Sequence, residues 1–164
     1  FSCSHCQASW NSNLCTIACY VAFREAHFAP KEAMIEIKDT RETGKGAFLL
    51  AGNTIQAGDW IGEYLGRILP AGSARANTSD YVYKLDGLLN SRMRQVDVDA
   101  AAEGNWTRFL NHCCRPNCAS AEIYVGKVRL TAFYALRQIS AGEELTINYG
   151  KAYFNSAPKI MCRC

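Results

Sequence analysis

Nine cysteines fall in three tight groups, at positions 3, 6, 15 and 19, at 113, 114 and 118, and at 162 and 164. The odd count and uneven grouping do not suggest a closed set of disulfides. Short paired spacings instead let neighbouring thiolates converge on one tetrahedral zinc ion, at about 2.3 Å from each sulfur. The expectation is zinc, in a reducing compartment. In the head, CSHCQASWNSNLCTIAC gives C-x2-C and then C-x3-C, so Cys3, Cys6, Cys15 and Cys19 suffice for one complete four-thiolate site. His5 is placed to replace one of the first pair. Free thiols, two of them buried on a short helix near CTIACYVAF, and disulfides in a secreted source are the alternatives at this point.

Between head and tail the chain is built for a compact β-rich domain. Its 164 residues are 49% hydrophobic and 20% charged with only 4 prolines, enough to bury a core and contrary to disorder. The net charge of +3 is mild and no dense Lys/Arg run appears, so electrostatics alone do not argue for a nucleic-acid binder. No apolar run approaches a membrane span, so no membrane partner is expected, and the start at Phe1 carries neither initiator Met nor signal pattern. The chain reads as a fragment of something longer.

Short strands are expected at AMIEIKDT (33–40), GAFLLAG, WIGEYLGRIL (60–69, one longer strand interrupted by Gly62 and Gly66), YVYKLDG (81–87), RQVDVDA (94–100), AEIYVG and VRLTAFYAL. Helix is expected only at 14–28 and 103–111. AFLLAGNTIQAGDWI and AFYALRQISAGEELTI echo each other, each with Ile-x-Ala-Gly between strands, a recurring shape rather than a claimed repeat. TGKGA (43–47) lacks the remaining spacing and the following helix of a phosphate loop, so its glycines point to a tight turn or close backbone approach to a ligand.

FLNHCCRPNC (109–118) packs three cysteines and a histidine together. Adjacent residues of an extended strand point to opposite faces, so His112 and Cys113 make a poor nucleophile and base. Cys114 is better read as a metal ligand, because Cys162 and Cys164 offer two more thiolates and lack partners nearby in sequence. A fourth ligand must then come from beyond residue 164, or the site is incomplete.

RFLNHCCRPNC followed by AGEELTINYG resembles the paired signature of SET-domain lysine methyltransferases. TGKGAF is similar to the family's first glycine motif, IGEYLG to its E-Y-x-G strand, DYVYKLD to its Y-x-F/Y strand, and VDVDAAAEGNWTRFLNH to the approach to the central signature, all in the family's order. The terminal CRC is similar to the start of a post-SET zinc element. The resemblance implies a mostly β SET fold, with β-clip-like small sheets, a C-terminal pseudoknot and few short helices. Its organisation would be a cysteine-rich, possibly zinc-binding pre-SET-like head at 1–30, a SET domain at 31–150 and the start of a post-SET segment at 151–164.

The same resemblance implies a site. Asn111 and His112 would contact S-adenosylmethionine with Arg108 nearby, and Gly44, Lys45, Gly46 and Ala47 would offer backbone along it. Tyr149 matches the catalytic tyrosine, also lining the cofactor, and Tyr81 a second channel tyrosine. Cys114, Cys162 and Cys164 would share zinc, while Cys113 stands where Ser is usual and inherits no role. Methyl transfer from a sulfonium to an amine is an in-line displacement, so the pocket's main task is alignment. The lysine, with a free pKa of about 10.4, must be neutral, which burial beside a positive charge favours.

Asn148 replaces the usual Asp, and Ile147 lies where many relatives carry Phe or Tyr. An aliphatic residue holds no water there, so room for di- or trimethylation is expected. The implied substrate is a histone tail, H3 first, laid along a sheet edge and presented on a nucleosome; another lysine-containing protein, or a scaffold without activity, is the alternative. Asp80, Asp86, Asp97, Asp99 and Glu103 are available to a basic tail, although solvated surface carboxylates are their default reading. The implied location is the nucleus, on chromosomes.

Overall fold

The computed structural model describes residues 2–9, 13–73, 79–85 and 95–156. Helix α1 (Ile17–Phe23) runs through a π-helical turn (Arg24–Phe28) into α2 (Ala29–Glu32). Strands β1 (Ile35–Thr40), β2 (Gly44–Leu49), β3 (Thr54–Ile55), β4 (Trp60–Glu63), β5 (Gly66–Pro70), β6 (Val82–Leu85) and β7 (Val96–Gly104) follow. A 3-10 turn (Trp106–Phe109) then leads to β8 (Asn111–His112), β9 (Cys118–Val125), β10 (Val128–Ala135), β11 (Ile139–Ser140), β12 (Thr146–Ile147) and α3 (Lys151–Ser156). The fold is mostly β, as expected, with small sheets β1-β2, β4-β10-β9, β11-β3, β12-β8 and β5-β7-β6.

The sheet β4-β10-β9 divides the interior. Strand residues alternate between faces, so Leu130, Ala132, Ile123 and Val125 face the head, packing with Phe23, Phe28, Cys3 and Cys15. Phe133, Ala135 and Cys118 face the main core with Leu49, Ile55, Ile61, Leu110, Ile139 and Leu145. In a regular α-helix Phe23 and Phe28 would lie about 140° apart. The π turn, closed by the Ala29 amide on the Arg24 carbonyl, widens the winding so that both rings point at the sheet and are buried.

Segment 142–147 is gripped on two sides, which positions the site. Gly142 and Leu145 donate to Leu49 and Ala47 carbonyls at 2.7 and 2.8 Å, and Leu49 donates to Glu143 at 3.0 Å. From the next residue the same segment pairs in parallel with β8, Thr146 opposite Asn111 and Ile147 opposite His112. The Asn117 side chain locks the crossing, donating to Glu144 O at 2.8 Å and accepting from Thr146 N at 2.9 Å. This is the crossing that the pseudoknot reading anticipates.

Three local expectations are corrected. Residues 60–69 form two strands in different sheets, because the chain leaves β4 at Tyr64 to meet β7 through β5. Residues 103–111 are not one helix: β7 continues to Gly104 and only Trp106–Phe109 turns. Asp97 and Asp99 are not surface carboxylates, each being 1% exposed. Asp97 accepts from Gly72 N, and Asp99 from Ser79 Oγ and Ala101 N, so both fasten backbone turns. Asp80 is exposed, Glu103 pairs with Arg67, and Asp86 lies outside the described residues. The two Ile-x-Ala-Gly segments that echo in sequence pair with each other, Ile139 opposite Ile55.

Candidate active site

The 3-10 turn, β8 and segment 142–149 bring Leu110, Asn111, His112, Glu144 and Tyr149 together. Tyr149 is fixed at two points: its amide donates to His112 Nδ1 at 3.2 Å, and its hydroxyl donates to the Leu110 carbonyl at 2.8 Å. The Nδ1 of His112 is therefore the acceptor, unprotonated on that nitrogen, and burial holds the imidazole below its ordinary pKa. Burial pushes the Tyr149 phenol well above its usual range, and Tyr153, Tyr81 and Glu144 add to the effect, so the hydroxyl keeps its proton at neutral pH. With that proton given to Leu110, the lone pairs of the oxygen remain available to an incoming amine.

Asn111 is held by two donations from Nδ2, to the Lys45 carbonyl at 3.1 Å and to Glu144 Oε1 at 2.7 Å. The reason for Gly46 is steric: a Cβ there would stand 2.4 Å from Glu144 Oε1 and 3.1 Å from Asn111 Nδ2. Lys45 is exposed and engages through its backbone, whereas Ala47 is buried and accepts from Leu145 N. Glu144 was not singled out from sequence, although it lies within the GEEL segment.

Aromatic side chains surround Tyr149. Tyr153 lies 4.8 Å away between ring centroids, and Phe154 sits 4.7 Å from His112. Both stand on α3, whose short sequence offers no periodic signal. The Arg108 guanidinium lies 4.5 Å over the Tyr81 ring and 5.3 Å over Phe109, a cation held on aromatic faces. Tyr64, the tyrosine of GEY, donates its hydroxyl to the Tyr81 carbonyl at 2.7 Å and packs 5.4 Å from Tyr83. Tyr83 bonds Ser120. Ile147 is buried in the main core and carries no hydrogen-bonding side chain.

In the head, the sulfurs of Cys3, Cys6, Cys15 and Cys19 all lie within 4.8 Å of one another. A zinc ion with bonds of about 2.3 Å requires edges of about 3.8 Å, so this donor set fits zinc after slight contraction. Burial opposes ionisation of Cys3, but amides of Cys6, Gly126 and His5 outweigh it and hold the thiol down to about 6. Cys6 accepts an amide from Ala8, yet burial and the neighbouring Cys3 and Cys19 sulfurs push it up to about 11.

His5 is not among these four sulfurs. Cys114 is exposed with its sulfur 3.5 Å from His112 Nε2, so the histidine's near thiol is Cys114 rather than its neighbour Cys113. Cys162 and Cys164 lie outside the described residues.

A strand-built core with a crossed C-terminal segment, an Asn-His pair beside it and a half-buried tyrosine defines a class, and comparison with known proteins agrees. The SET domain model matches residues 46–150, and the chain belongs to the SET domain family. It is 35% identical over 138 residues to Histone-lysine N-methyltransferase set1 of Dictyostelium discoideum, covering 82% of this chain and 9% of that protein. It is 34% identical over 134 residues to a Homo sapiens histone-lysine N-methyltransferase, H3 lysine-36 specific, covering 79% of this chain and 5% of that protein. To the Schizosaccharomyces pombe histone-lysine N-methyltransferase, H3 lysine-4 specific, identity is 38% over 120 residues, 71% of this chain and 13% of that protein. The chain thus spans only a small part of the length of the curated relatives it matches.

Proposed function

We propose that this chain is an S-adenosylmethionine-dependent protein lysine N-methyltransferase acting on a histone tail, H3 first, in the nucleus. The observation that carries the reading is Tyr149, whose backbone amide is held on His112 Nδ1 while its protonated phenol donates to the Leu110 carbonyl, leaving the phenol oxygen able to accept. Relatives named for H3 lysine-4 and H3 lysine-36 support the choice of substrate.

S-adenosylmethionine, when bound, supplies a sulfonium methyl group for in-line transfer to the lysine amine. The exposed backbone of Gly44 and Lys45, with half-buried Asn111 and His112, holds the cofactor. Glu144 and Gly46 keep the Asn111 amide in place. The Tyr149 oxygen accepts from the lysine amine and so aims its lone pair. Half-buried Tyr64 and Tyr149 exclude water, and Arg108, held over the ring of exposed Tyr81, adds positive charge; both effects favour the neutral amine that attacks. Ile147 leaves no hydroxyl to hold a water beside the amine, so the product is di- or trimethyllysine. In the head, Cys3, Cys6, Cys15 and Cys19 hold one zinc ion, and exposed Cys114 joins Cys162 and Cys164 on a second.

The test is transfer of tritium from labelled S-adenosylmethionine to core histones and isolated H3. Incorporation into H3 that collapses in Tyr149→Phe and His112→Ala supports the reading. Equal incorporation in wild type and Tyr149→Phe contradicts it, and transfer only to nonhistone proteins contradicts the histone assignment.

A further inference from the structure

Glu63, on β4, is a carboxylate 1% exposed in an otherwise apolar layer, and the chemistry proposed above does not use it. A buried carboxylate is costly unless its charge is met. Here the head meets it. Tyr20 on α1 directs its hydroxyl to both Glu63 oxygens at 2.9 and 3.0 Å, and Arg24 Nε lies 2.7 Å from Oε1. Arg24 is steadied in turn by Glu32 at 3.2 Å. Tyr20 follows Cys19 directly in sequence, and Cys15 stands just before the helix, so two of the four clustered thiols sit at the root of this clamp.

The main chain of Glu63 serves the other side. Its carbonyl accepts from Asn105 Nδ2 at 2.9 Å and from Thr107 Oγ1 at 3.1 Å. There is no slack beside it: a Cβ on Gly62 would meet Trp106 at 2.8 Å and Thr107 at 3.0 Å. Thr107 belongs to the 3-10 turn, and Leu110, which donates to the Thr107 carbonyl at 3.2 Å, receives the Tyr149 hydroxyl. Asn111 and His112 come next. One residue therefore joins the thiol head, by its side chain, to the turn that sets the cofactor strand, by its carbonyl.

We infer that Glu63 is a positioning residue that couples the head to the cofactor strand, so that metal loading of the four-thiol cluster sets cofactor affinity. The inference rests on the reading of this site as an S-adenosylmethionine pocket. Organising the thiols fixes the start of α1, which fixes Tyr20 and Arg24, and through Glu63 the register of Asn105 and Thr107. Loss of the metal frees α1 at its root, and the turn loses its outer support.

The experiment is calorimetric titration of the whole chain with S-adenosylhomocysteine, zinc-loaded and after stripping by chelator, for wild type, Glu63→Gln and Tyr20→Phe, with metal content and thermal melting measured on each. In wild type, stripping weakens binding by about tenfold, within the usual range of coupling between sites. Zinc-loaded Glu63→Gln binds about as weakly as stripped wild type, and stripping it changes little further, because the coupled pair is already broken. Its KM for an H3 peptide at saturating cofactor stays at the wild-type value, which a merely structural lesion would not leave alone. Equal stripping effects in wild type and both variants overturn the inference, as does parallel loss of cofactor and peptide affinity. If Glu63→Gln gives no cooperative melt, Tyr20→Phe, which removes one hydroxyl, carries the same criterion. A zinc-loaded wild type that binds no cofactor overturns the functional reading as well, whereas cofactor binding that ignores stripping overturns the coupling alone.

Discussion

Tyr149 keeps its proton on the Leu110 carbonyl and its oxygen free to accept, so phenylalanine at this position removes aim without removing the ring. Tyr149→Phe is expected to lower kcat by about a hundredfold, the usual cost of a small misplacement of reacting groups, with cofactor affinity changed little. Steady-state kinetics with separate cofactor titration distinguishes the two. Gly46→Ala acts on the other partner. Its Cβ must displace the flexible end of Glu144, breaking the 2.7 Å bond to Asn111 while the backbone survives. Loss of one such bond costs about 1 kcal/mol, so the thermal midpoint falls by a few degrees, and with Asn111 unanchored cofactor binding weakens by roughly fivefold. Asn111, His112 and Tyr149 were legible in sequence because their spacing within RFLNHCC and LTINY is itself the signature. Glu63, Asp97 and Asp99 were not. Strand alternation in VDVDA shows only that valines and aspartates take opposite faces, and the aspartates turn inward because the amides of Gly72 and Ala101 and the Ser79 hydroxyl wait there.

Among the elements, the helical head is held to the β4-β10-β9 sheet chiefly by Phe23 and Phe28, both essentially inaccessible. Phe23→Ala is expected to cost about 3–5 kcal/mol by urea unfolding, the range for emptying a buried phenylalanine site. Neither ring's burial was legible, because a spacing of five fits no α-helical face and the π turn that reconciles them leaves no distinct residue pattern. The β9-β10 hairpin fixes the head from the opposite end: Gly126 has φ of 54° and its Cβ position lies 2.4 Å from Tyr20 N. A further tie is Lys31 on α2 to Asp59, at 2.7 Å. Burial opposes ionisation of Asp59, but Lys31 and the Gln56 amide outweigh it and hold the carboxyl below its ordinary value. A depressed carboxyl contributes stability that is present above its unfolded pKa of about 3.9 and lost as pH falls through the folded one. Asp59→Asn should therefore lose less stability than wild type between pH 5 and pH 3, about 4 marking the onset, in paired denaturant melts.

At the scale of the whole molecule, the head, the dividing sheet and the crossed C-terminal core form a series in which each part packs on the next. The mostly β fold and the order of its segments were legible, since glycine-bounded strands and signature spacings both survive in sequence. The sharing of one sheet between head and core was not, because it depends on which face of β9 and β10 each side meets. Metal removal is the global test of the head. Without a metal the four thiols within 4.8 Å lose the bonds that would tie them together, so chelation is expected to lower the thermal midpoint by several degrees and release zinc in step. Metal analysis paired with calorimetry checks it. The central claim, that Tyr149 aims a lysine amine for methylation, is tested most directly by tandem mass spectrometry of recombinant H3 incubated with the protein and deuteromethyl S-adenosylmethionine. The account predicts deuterated methyl groups on a lysine ε-nitrogen, appearing about a hundredfold more slowly with Tyr149→Phe; label on any other residue type, or label undiminished by that substitution, would contradict it.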